Sequence, residues 1–257
     1  MLARFALYRI LRIVRFSLTP PFGDIGNPNT SFVVWGDSHA GALVRGVGEA
    51  AKLNGKSGYL AGFNGCVPLL NVMGAREPEP EKCNQSGEKI LSVIKQGDIV
   101  FLVGRWTYYT HKSLINKEGP TWINDQQSHE ISEEENYGVF ERALERTIKA
   151  IQEKGAKPVV VNTVPEFSKS VPEAYYRFAQ NIEVSRSLVE KNRQKTTVIM
   201  KRVLREVGGA YFDPLNAFCN KQKCYGASAE EIYFSDNDHI NLKGALKLSP
   251  LMDRFFK

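Results

Sequence analysis

Val33-Val34-Trp35-Gly36-Asp37-Ser38-His39 joins an apolar run to a short polar turn. The apolar part predicts a buried strand, and the residues from Ala40 onward predict a helix, so Ser38 lies at the turn between them. A serine at the carboxyl end of a strand is exposed, and the N–H groups of the next helix can stabilise a developing negative charge. Such a serine is more often a simple helix N-cap, so this stretch alone predicts the fold better than the chemistry.

A second polar cluster, Asp236-Asn237-Asp238-His239, lies near the other end of the chain. A serine hydroxyl becomes a good nucleophile only when an imidazole takes its proton and a carboxylate holds that imidazole in the right tautomer. Asp236 and His239 can supply both groups from one turn. Ser38, Asp236 and His239 are therefore the candidate catalytic residues. His39 directly follows the serine and is expected to point away from the reaction.

The order of elements along the chain predicts an α/β fold. Strands are expected at residues 31–36, 56–62, 98–104, 157–163 and 209–212, and helices near 40–53, 85–95, 137–154, 184–207 and 241–256. Two of the strands are continuously apolar, which is typical of parallel strands buried on both faces. We expect a three-layer α/β/α sandwich around a mostly parallel five-stranded sheet, with a site at the carboxyl ends of its strands. The polar stretch 108–136 fits a surface loop better than an insertion that shapes substrate access.

Composition indicates an ordinary globular protein. The chain has 257 residues, 42% of them hydrophobic and 24% charged, which is enough for one large domain with a buried core. No run approaches the roughly 18 uninterrupted apolar residues of a membrane span. The formal net charge of +6 favours anionic surroundings, although scattered solvated lysines explain it equally simply. Basic residues are not interleaved with aromatic ones, so nucleic acid is not an expected partner.

The first 29 residues differ from the rest. Residues 1–19 alternate apolar side chains with arginines, which predicts a basic amphipathic helix, and Pro20-Pro21 then begins a linker. This helix fits an interfacial segment, a linker leaving a transmembrane domain outside this chain, or a helix folded onto the domain's own surface. A cleavable signal peptide fits poorly because arginines interrupt the apolar run. We therefore divide the chain into a membrane-proximal extension, 1–29, and a catalytic domain, 30–257.

The four cysteines are Cys66, Cys83, Cys219 and Cys224. Three disulfide pairings are possible, of which the local one, Cys66 with Cys83 and Cys219 with Cys224, is the simplest. Free buried thiols and a metal site are the other interpretations. Since no C-x-x-C pair occurs and the four histidines are scattered, neither a metal nor a cofactor is expected.

The two end motifs resemble those of a known superfamily. Gly-Asp-Ser-His at 36–39 and Asp-x-x-His at 236–239 resemble the first and last sequence blocks of the SGNH (GDSL-like) hydrolases. More narrowly, residues 30–257 resemble the periplasmic SGNH domains fused behind acyltransferase-3 membrane domains in bacterial surface-glycan O-acetyltransferases. The resemblance implies an SGNH, flavodoxin-like fold, with Ser38 as nucleophile and His239 as base. The family spacing selects Asp236, rather than the competing carboxylate Asp238, to orient the ring.

The middle blocks match less closely. Gly65 lies where the second block supplies an oxyanion donor, beside the backbone N–H of Ser38, although Asn-Gly is also a common turn. Ordinary members carry Gly-x-Asn-Asp after the third strand, and this chain has Gly104-Arg105-Trp106-Thr107 instead. Arg105 and Trp106 are thus candidate oxyanion or substrate-binding residues, with a structural cation–π or rim contact as the alternative. The substitution resembles the acyltransferase-linked domains more than free esterases.

The resemblance also implies a function. An acetyl group, relayed from acetyl-CoA by a fused or separate acyltransferase-3 transmembrane domain, would pass through Ser38 to a hydroxyl of lipopolysaccharide O-antigen, lipooligosaccharide or peptidoglycan. The domain would then act at the periplasmic side of the inner membrane. The loop between Cys219 and Cys224 resembles a disulfide-closed loop of these domains, which favours two disulfides and an oxidising compartment. A secreted carbohydrate acetyl esterase and a non-catalytic glycan-binding module are the alternatives.

Overall fold

The structure, a computed structural model, describes residues 19–27, 29–74, 80–179 and 182–257, without the side chains of residues 80–82. The basic amphipathic helix predicted for residues 1–19 lies, apart from its last residue, outside this part of the chain. The helix and the division at residue 29 therefore stay predictions. None of the described helices is long and apolar enough to cross a membrane.

Strands and helices alternate along the described chain. The strands are β1 Phe22–Gly23, β2 Thr30–Gly36, β3 Ser57–Gly62, β4 Met73–Gly74, β5 Ile99–Val103, β6 Ile123–Asn124, β7 Lys157–Val161, β8 Glu183–Ser185, β9 Ala210–Phe212 and β10 Lys223–Tyr225. The α-helices are α1 Ser38–Leu53, α2 Pro80–Val93, α3 Trp106–Thr110, α4 Glu133–Glu153, α5 Arg186–Asn192, α6 Gln194–Val207, α7 Leu215–Phe218 and α8 Leu242–Met252. A π-helical turn, Glu173–Arg177, and a 3₁₀ turn, Asp253–Phe255, complete them.

The central sheet has the strand order β1-β3-β2-β5-β7-β9. From β3 to β9 every neighbouring pair is parallel, so the five predicted strands form one parallel sheet. The short strand β1 adds a sixth, antiparallel strand at the edge beside β3. Two small antiparallel pairs, β4 with β6 and β8 with β10, lie outside this sheet.

Alternation along β2 divides the core into two layers. Val33 and Trp35 belong to one buried cluster, which also contains Phe140 of α4. Phe32 and Val34 belong to the cluster on the other face, with α1 and α8. Because successive side chains of a strand point to opposite faces, a strand apolar throughout is buried by helices on both sides. The predicted three-layer α/β/α sandwich is confirmed.

Two segments differ from their predictions. Residues 184–207 form β8, α5 and α6 rather than one helix, because β8 pairs with β10 and Arg193 interrupts the helical run. The guanidinium of Arg193 donates to the carbonyl of Thr163 and to the carboxylate of Asp213. The stretch 108–136 is not a simple surface loop, since Asn136 Nδ2 donates to the Tyr109 carbonyl at 2.7 Å and ties the segment to α3.

The four cysteines form two local disulfides. Cys66 pairs with Cys83, and Cys219 pairs with Cys224. The simplest of the three possible pairings is therefore the one found. Each bridge closes a short loop next to the core.

Candidate active site

The turn after β2 is shaped by the carboxylate of Asp37. One oxygen accepts from His39 N at 2.8 Å and so caps α1. The other oxygen accepts from Arg105 N at 3.0 Å and from the Tyr109 hydroxyl at 2.9 Å. Asp37 is buried, so these contacts fix the turn tightly. They hold Ser38 at the first position of α1, at the carboxyl end of the parallel sheet.

The three candidate catalytic residues meet at this turn. Ser38 Oγ lies 2.7 Å from His239 Nε2, and His239 Nδ1 lies 2.8 Å from Asp236 Oδ2. The other oxygen of Asp236 accepts from the backbone N–H groups of Asp238 and His239, at 2.8 Å and 2.7 Å. With Nδ1 donating to Asp236, Nε2 is free to accept the Ser38 proton, which is the geometry that general-base activation of a serine requires.

A second carboxylate also reaches the imidazole. Asp238 Oδ1 lies 2.7 Å from His239 Nδ1, as close as the oxygen of Asp236. Its other oxygen lies 2.9 Å from Arg105 Nη1. The side chain of Asp238 is 6% exposed, against 44% for Asp236, so the drier of the two carboxylates is the one that the motif spacing did not select.

Arg105 is enclosed by carboxylates. Its Nε and Nη2 donate to the two oxygens of Glu166 at 3.3 Å and 3.2 Å. Its Nη1 lies 2.8 Å from Glu118 Oε2 and also makes the contact with Asp238. Every guanidinium nitrogen is thus already engaged, and the cation also lies 5.2 Å from the ring centre of Tyr108. Arg105 contacts Asp238, which in turn contacts the imidazole of His239. The structure does not support the predicted direct contact of Arg105 with substrate or oxyanion.

Glu166 is the member of this network that the sequence reasoning missed. It is buried, and besides Arg105 it accepts from Thr107 Oγ1 at 2.6 Å and Ser113 Oγ at 3.1 Å. A carboxylate in an otherwise apolar loop after a buried strand was the available signal, because such a charge needs a partner.

Trp106 lies in the core rather than in the site. Its side chain is fully buried, and its indole N–H donates to the Val161 carbonyl at 2.7 Å. Its ring packs against Phe140 of α4, with 5.5 Å between centroids. The side chain of Trp106 therefore has no donor left for an oxyanion, and the structure does not place that side chain in the site.

Gly65 lies on an exposed turn that follows β3. Its φ of 81° is in the left-handed region that favours glycine, and a side chain there would meet no atom within 4 Å. The turn is therefore open to solvent. Its role as an oxyanion donor stays a prediction.

His39 points toward the histidine of the triad candidates, contrary to expectation. Its ring stacks on that of His239, with 4.3 Å between centroids and 29° between planes. The ring is buried, and its Nε2 has no hydrogen-bond partner among the described residues. The nearest acid is Asp238, whose Oδ1 is 3.7 Å from Nε2.

The charges around His239 stabilise its protonated form. Hydrogen bonds to Asp236 and Asp238 raise the pKa of His239 to about 10, although burial opposes the shift. Burial on its own would raise the pKa of each carboxyl, but the hydrogen bonds from His239 hold both values below their usual range. Burial lowers the pKa of His39, so this second ring stays neutral. The cluster therefore favours a proton on His239 whenever Ser38 gives one up.

One group of side chains has the donor types of a metal site. His39, Asp238 and His239 offer three ligand atoms within 4.8 Å of one another. Arg105 already places a positive charge 2.9 Å from Asp238, and a cation on His239 Nδ1 would displace the contact with Asp236. These residues therefore fit a charge network better than a metal centre.

The fold and the grouped residues define an α/β enzyme of the acyl-transferring or hydrolytic class. A sequence model of the family described as SGNH domain (fused to AT3 domains) matches residues 15–254. Because the match covers most of the chain, the chain belongs to this family. No curated protein shows significant sequence similarity to it.

A solved structure has a similar fold. The chain is similar to the periplasmic domain of a lipopolysaccharide acetyltransferase from Salmonella ser. Paratyphi A, with a TM-score of 0.62 and 15% identity over 90% of this chain and 85% of that one. It is also similar to an extracellular lipase from Streptomyces rimosus, with a TM-score of 0.47 and 12% identity over 88% of this chain and 99% of that one. At 15% identity the likeness to the Salmonella domain concerns the fold alone.

Proposed function

We propose that this chain is the periplasmic catalytic domain of a bacterial surface-glycan O-acetyltransferase, and that it carries the acetyl group on Ser38. The observation that carries the proposal is the line of contacts from Ser38 Oγ to His239 Nε2 at 2.7 Å and from His239 Nδ1 to Asp236 at 2.8 Å. This arrangement occurs in a chain whose family is described as fused to AT3 domains.

The reaction has two halves that use the same groups. First, His239 Nε2 takes the Ser38 proton while Oγ attacks the acyl carbonyl of the donor, and the leaving group departs with that proton. Then a sugar hydroxyl gives its proton to His239 and attacks the acetyl-serine ester, and Ser38 Oγ recovers the proton as the new ester leaves. Asp236 keeps the ring in the required tautomer in both halves.

The developing oxyanion needs N–H donors. We assign this role to the backbone N–H of Ser38, at the start of the 16-residue helix α1, and to that of Gly65 on the open turn after β3. The substituted third block contributes no donor in this scheme, because Trp106 and Arg105 are already engaged.

The donor and the acceptor follow from the relatives. The family description names fused AT3 domains, and we infer that such a domain, fused or separate, would supply acetyl groups derived from acetyl-CoA. The Salmonella protein of similar fold is a lipopolysaccharide acetyltransferase, which supports a hydroxyl of lipopolysaccharide, lipooligosaccharide or peptidoglycan as acceptor. The two disulfides suit the oxidising periplasm.

The proposal is tested by the fate of the acetyl group. The domain is given an activated acetyl ester with and without a bacterial surface saccharide, and acetylated saccharide and free acetate are both measured. We expect acetate to fall as acetylated saccharide appears, and both products to fall to the uncatalysed background in Ser38→Ala but not in the exposed-serine control Ser92→Ala. Dominant hydrolysis at saturating saccharide would instead identify an esterase.

A companion experiment in cells separates catalysis from binding. Ser38→Ala is introduced into the complete acyltransferase, and acetylation of the surface glycan is measured. We expect acetylation to be lost. Unchanged acetylation would identify the domain as a non-catalytic glycan-binding module.

A further inference from the structure

His239 Nδ1 faces two carboxylates at nearly equal distance, Asp236 at 2.8 Å and Asp238 at 2.7 Å. One N–H can be shared between two acceptors, and either one is sufficient to fix the tautomer of the ring. The two acceptors differ in surroundings, because Asp236 lies at the exposed rim while Asp238 is buried. An electrostatic contact is stronger in the drier position.

Asp238 is held by a buried chain of charges. Arg105 Nη1 lies 2.9 Å from Asp238, and the rest of the same guanidinium is clamped by Glu166 through two hydrogen bonds. Thr107 and Ser113 in turn donate to Glu166. Buried charges are costly unless they are paired and hydrogen-bonded, and here each of the three has its partners. These paired charges keep Asp238 ionised and fixed in place beside the imidazole of His239.

We propose that Asp238, fixed by Arg105, is a second positioning carboxylate for His239, so that two carboxylates rather than one orient the catalytic base. The inference rests on the proposed function only in the role that it gives His239. It also accounts for arginine in the substituted third block, because Arg105 is used to hold Asp238 rather than to donate to the oxyanion.

The other groups around His239 are consistent with this assignment. From α1 the ring meets Ser38 and the stacked ring of His39, which burial keeps neutral. From its own loop it meets the two carboxylates. Arg105 contacts Asp238 rather than the ring, and Glu118 and Glu166 contact Arg105 in turn. The protonation of His239 is therefore set chiefly by Asp236 and Asp238 together.

The first test compares Asp236→Asn, Asp238→Asn and the double variant in acetyl transfer from an activated ester. With a single orienting carboxylate, its replacement by asparagine costs about 10⁴-fold in kcat. If the two share the role, each single variant loses less than about 10-fold in kcat, and the double variant loses about 10⁴-fold, far more than the product of the single losses. A full loss in Asp236→Asn with no change in Asp238→Asn would overturn the proposal.

The second test needs no turnover. The imidazole of His239 is titrated by NMR in the Ser38→Ala protein, with and without Asp238→Asn. We expect Asp238→Asn to lower the pKa of His239, because one of its two acceptors loses its charge. A purely structural Asp238 leaves the titration where it was, which would refute a positioning role. Since no acetyl group is involved, this result is separate from the outcome for acetyl-Ser38.

Arg105→Lys provides a variant that keeps every buried charge. A lysine supplies a point charge but not the planar fork that holds Glu166 and Asp238 together. We expect a folded protein, judged by its thermal transition, in which the pKa of His239 is shifted and kcat falls while KM for the ester stays unchanged. An unshifted pKa with unchanged kcat in that folded variant would contradict the assignment.

Discussion

The surroundings of His239 stabilise the protonated form of its ring. Two carboxylates lie within 2.8 Å of its Nδ1. The neighbouring ring of His39 is neutral, so it adds no positive charge that would oppose protonation of His239. A base of this kind takes the Ser38 proton readily once it is itself deprotonated. The same carboxylates make the deprotonated ring scarce at neutral pH.

The pH dependence of acyl transfer follows from this balance. Because the pKa of His239 is about 10 and the base must be deprotonated, kcat/KM for a neutral activated ester should rise with pH through that range. The measurement is a pH–rate profile from about pH 6 to about pH 11, corrected for spontaneous hydrolysis. A midpoint near the ordinary histidine value of about 6.5 would show that the carboxylates do not control the ring.

The same shift has a consequence for folding. A raised pKa in the folded state contributes stability that is complete below the unfolded value and is lost as pH rises through the folded one. The contribution of His239 is therefore lost on the alkaline side, toward about pH 10.

Single residues differ in how well their positions could be predicted. Ser38 and His239 follow from short motifs whose spacing fixes local geometry. Trp106 could not be placed in this way. The direction of its side chain depends on where α3 begins after β5 and on the hydrogen bond from its indole N–H to the Val161 carbonyl. The role of Asp238 depends equally on Arg105 and Glu166, which come from two other segments of the chain.

At the scale of elements, close backbone packing brings Ser38 to the carboxyl end of the central sheet. A Cβ on Gly36 would lie 1.9 Å from the Val103 carbonyl oxygen and 2.6 Å from Ala40. No side chain fits between β2, β5 and the start of α1. The last residue of β2 must therefore be glycine if the turn is to bring Ser38 within reach of His239.

Gly36→Ala is expected to destabilise the domain and to displace the turn, because only a shift of the β2 or β5 backbone can relieve the contact. Gly41→Ala is the matched control, since that glycine lies in α1 with no atom within 4 Å of its Cβ. The control should be stabilised by about 0.5–1 kcal/mol. Thermal unfolding and acetyl transfer of both variants are the measurements. Equal stability of the two would contradict the packing argument.

Most elements could be predicted because burial on two faces leaves a clear apolar pattern in the strands. The break between α5 and α6 could not, because it depends on contacts of Arg193 with Thr163 and Asp213 from distant segments. The prediction of a surface loop at 108–136 was wrong for a similar reason. Its polar side chains bond to one another and to buried backbone, so their polarity did not mean exposure.

At the scale of the whole molecule, the fold joins the two ends of the described chain. Helices α1 and α8 approach so closely that a Cβ on Gly46 would lie 2.3 Å from the Ala245 carbonyl oxygen. Ser38 begins the first of these helices, and His239 precedes the second by three residues. The site therefore exists only when the complete sandwich has formed.

The two disulfides should stabilise this assembly unequally. Cys66 and Cys83 are 17 residues apart and Cys219 and Cys224 are 5 apart. If the bridges act by restricting the unfolded chain, their removal costs about 3 and about 2 kcal/mol respectively. Denaturant unfolding of the paired Cys→Ser variants measures both values. A larger loss from opening the Cys219–Cys224 loop would show that local native contacts, not chain entropy, dominate.

In the proposed reaction, Ser38 carries the acetyl group between donor and acceptor. Intact-protein mass spectrometry after incubation with an activated acetyl ester, followed by peptide mapping, tests it most directly. We predict one acetyl-sized mass increase, located on Ser38, absent from Ser38→Ala and removed when a saccharide acceptor is added. Acetylation that is indifferent to Ser38→Ala, or no adduct while acetyl groups are being transferred, would contradict the account.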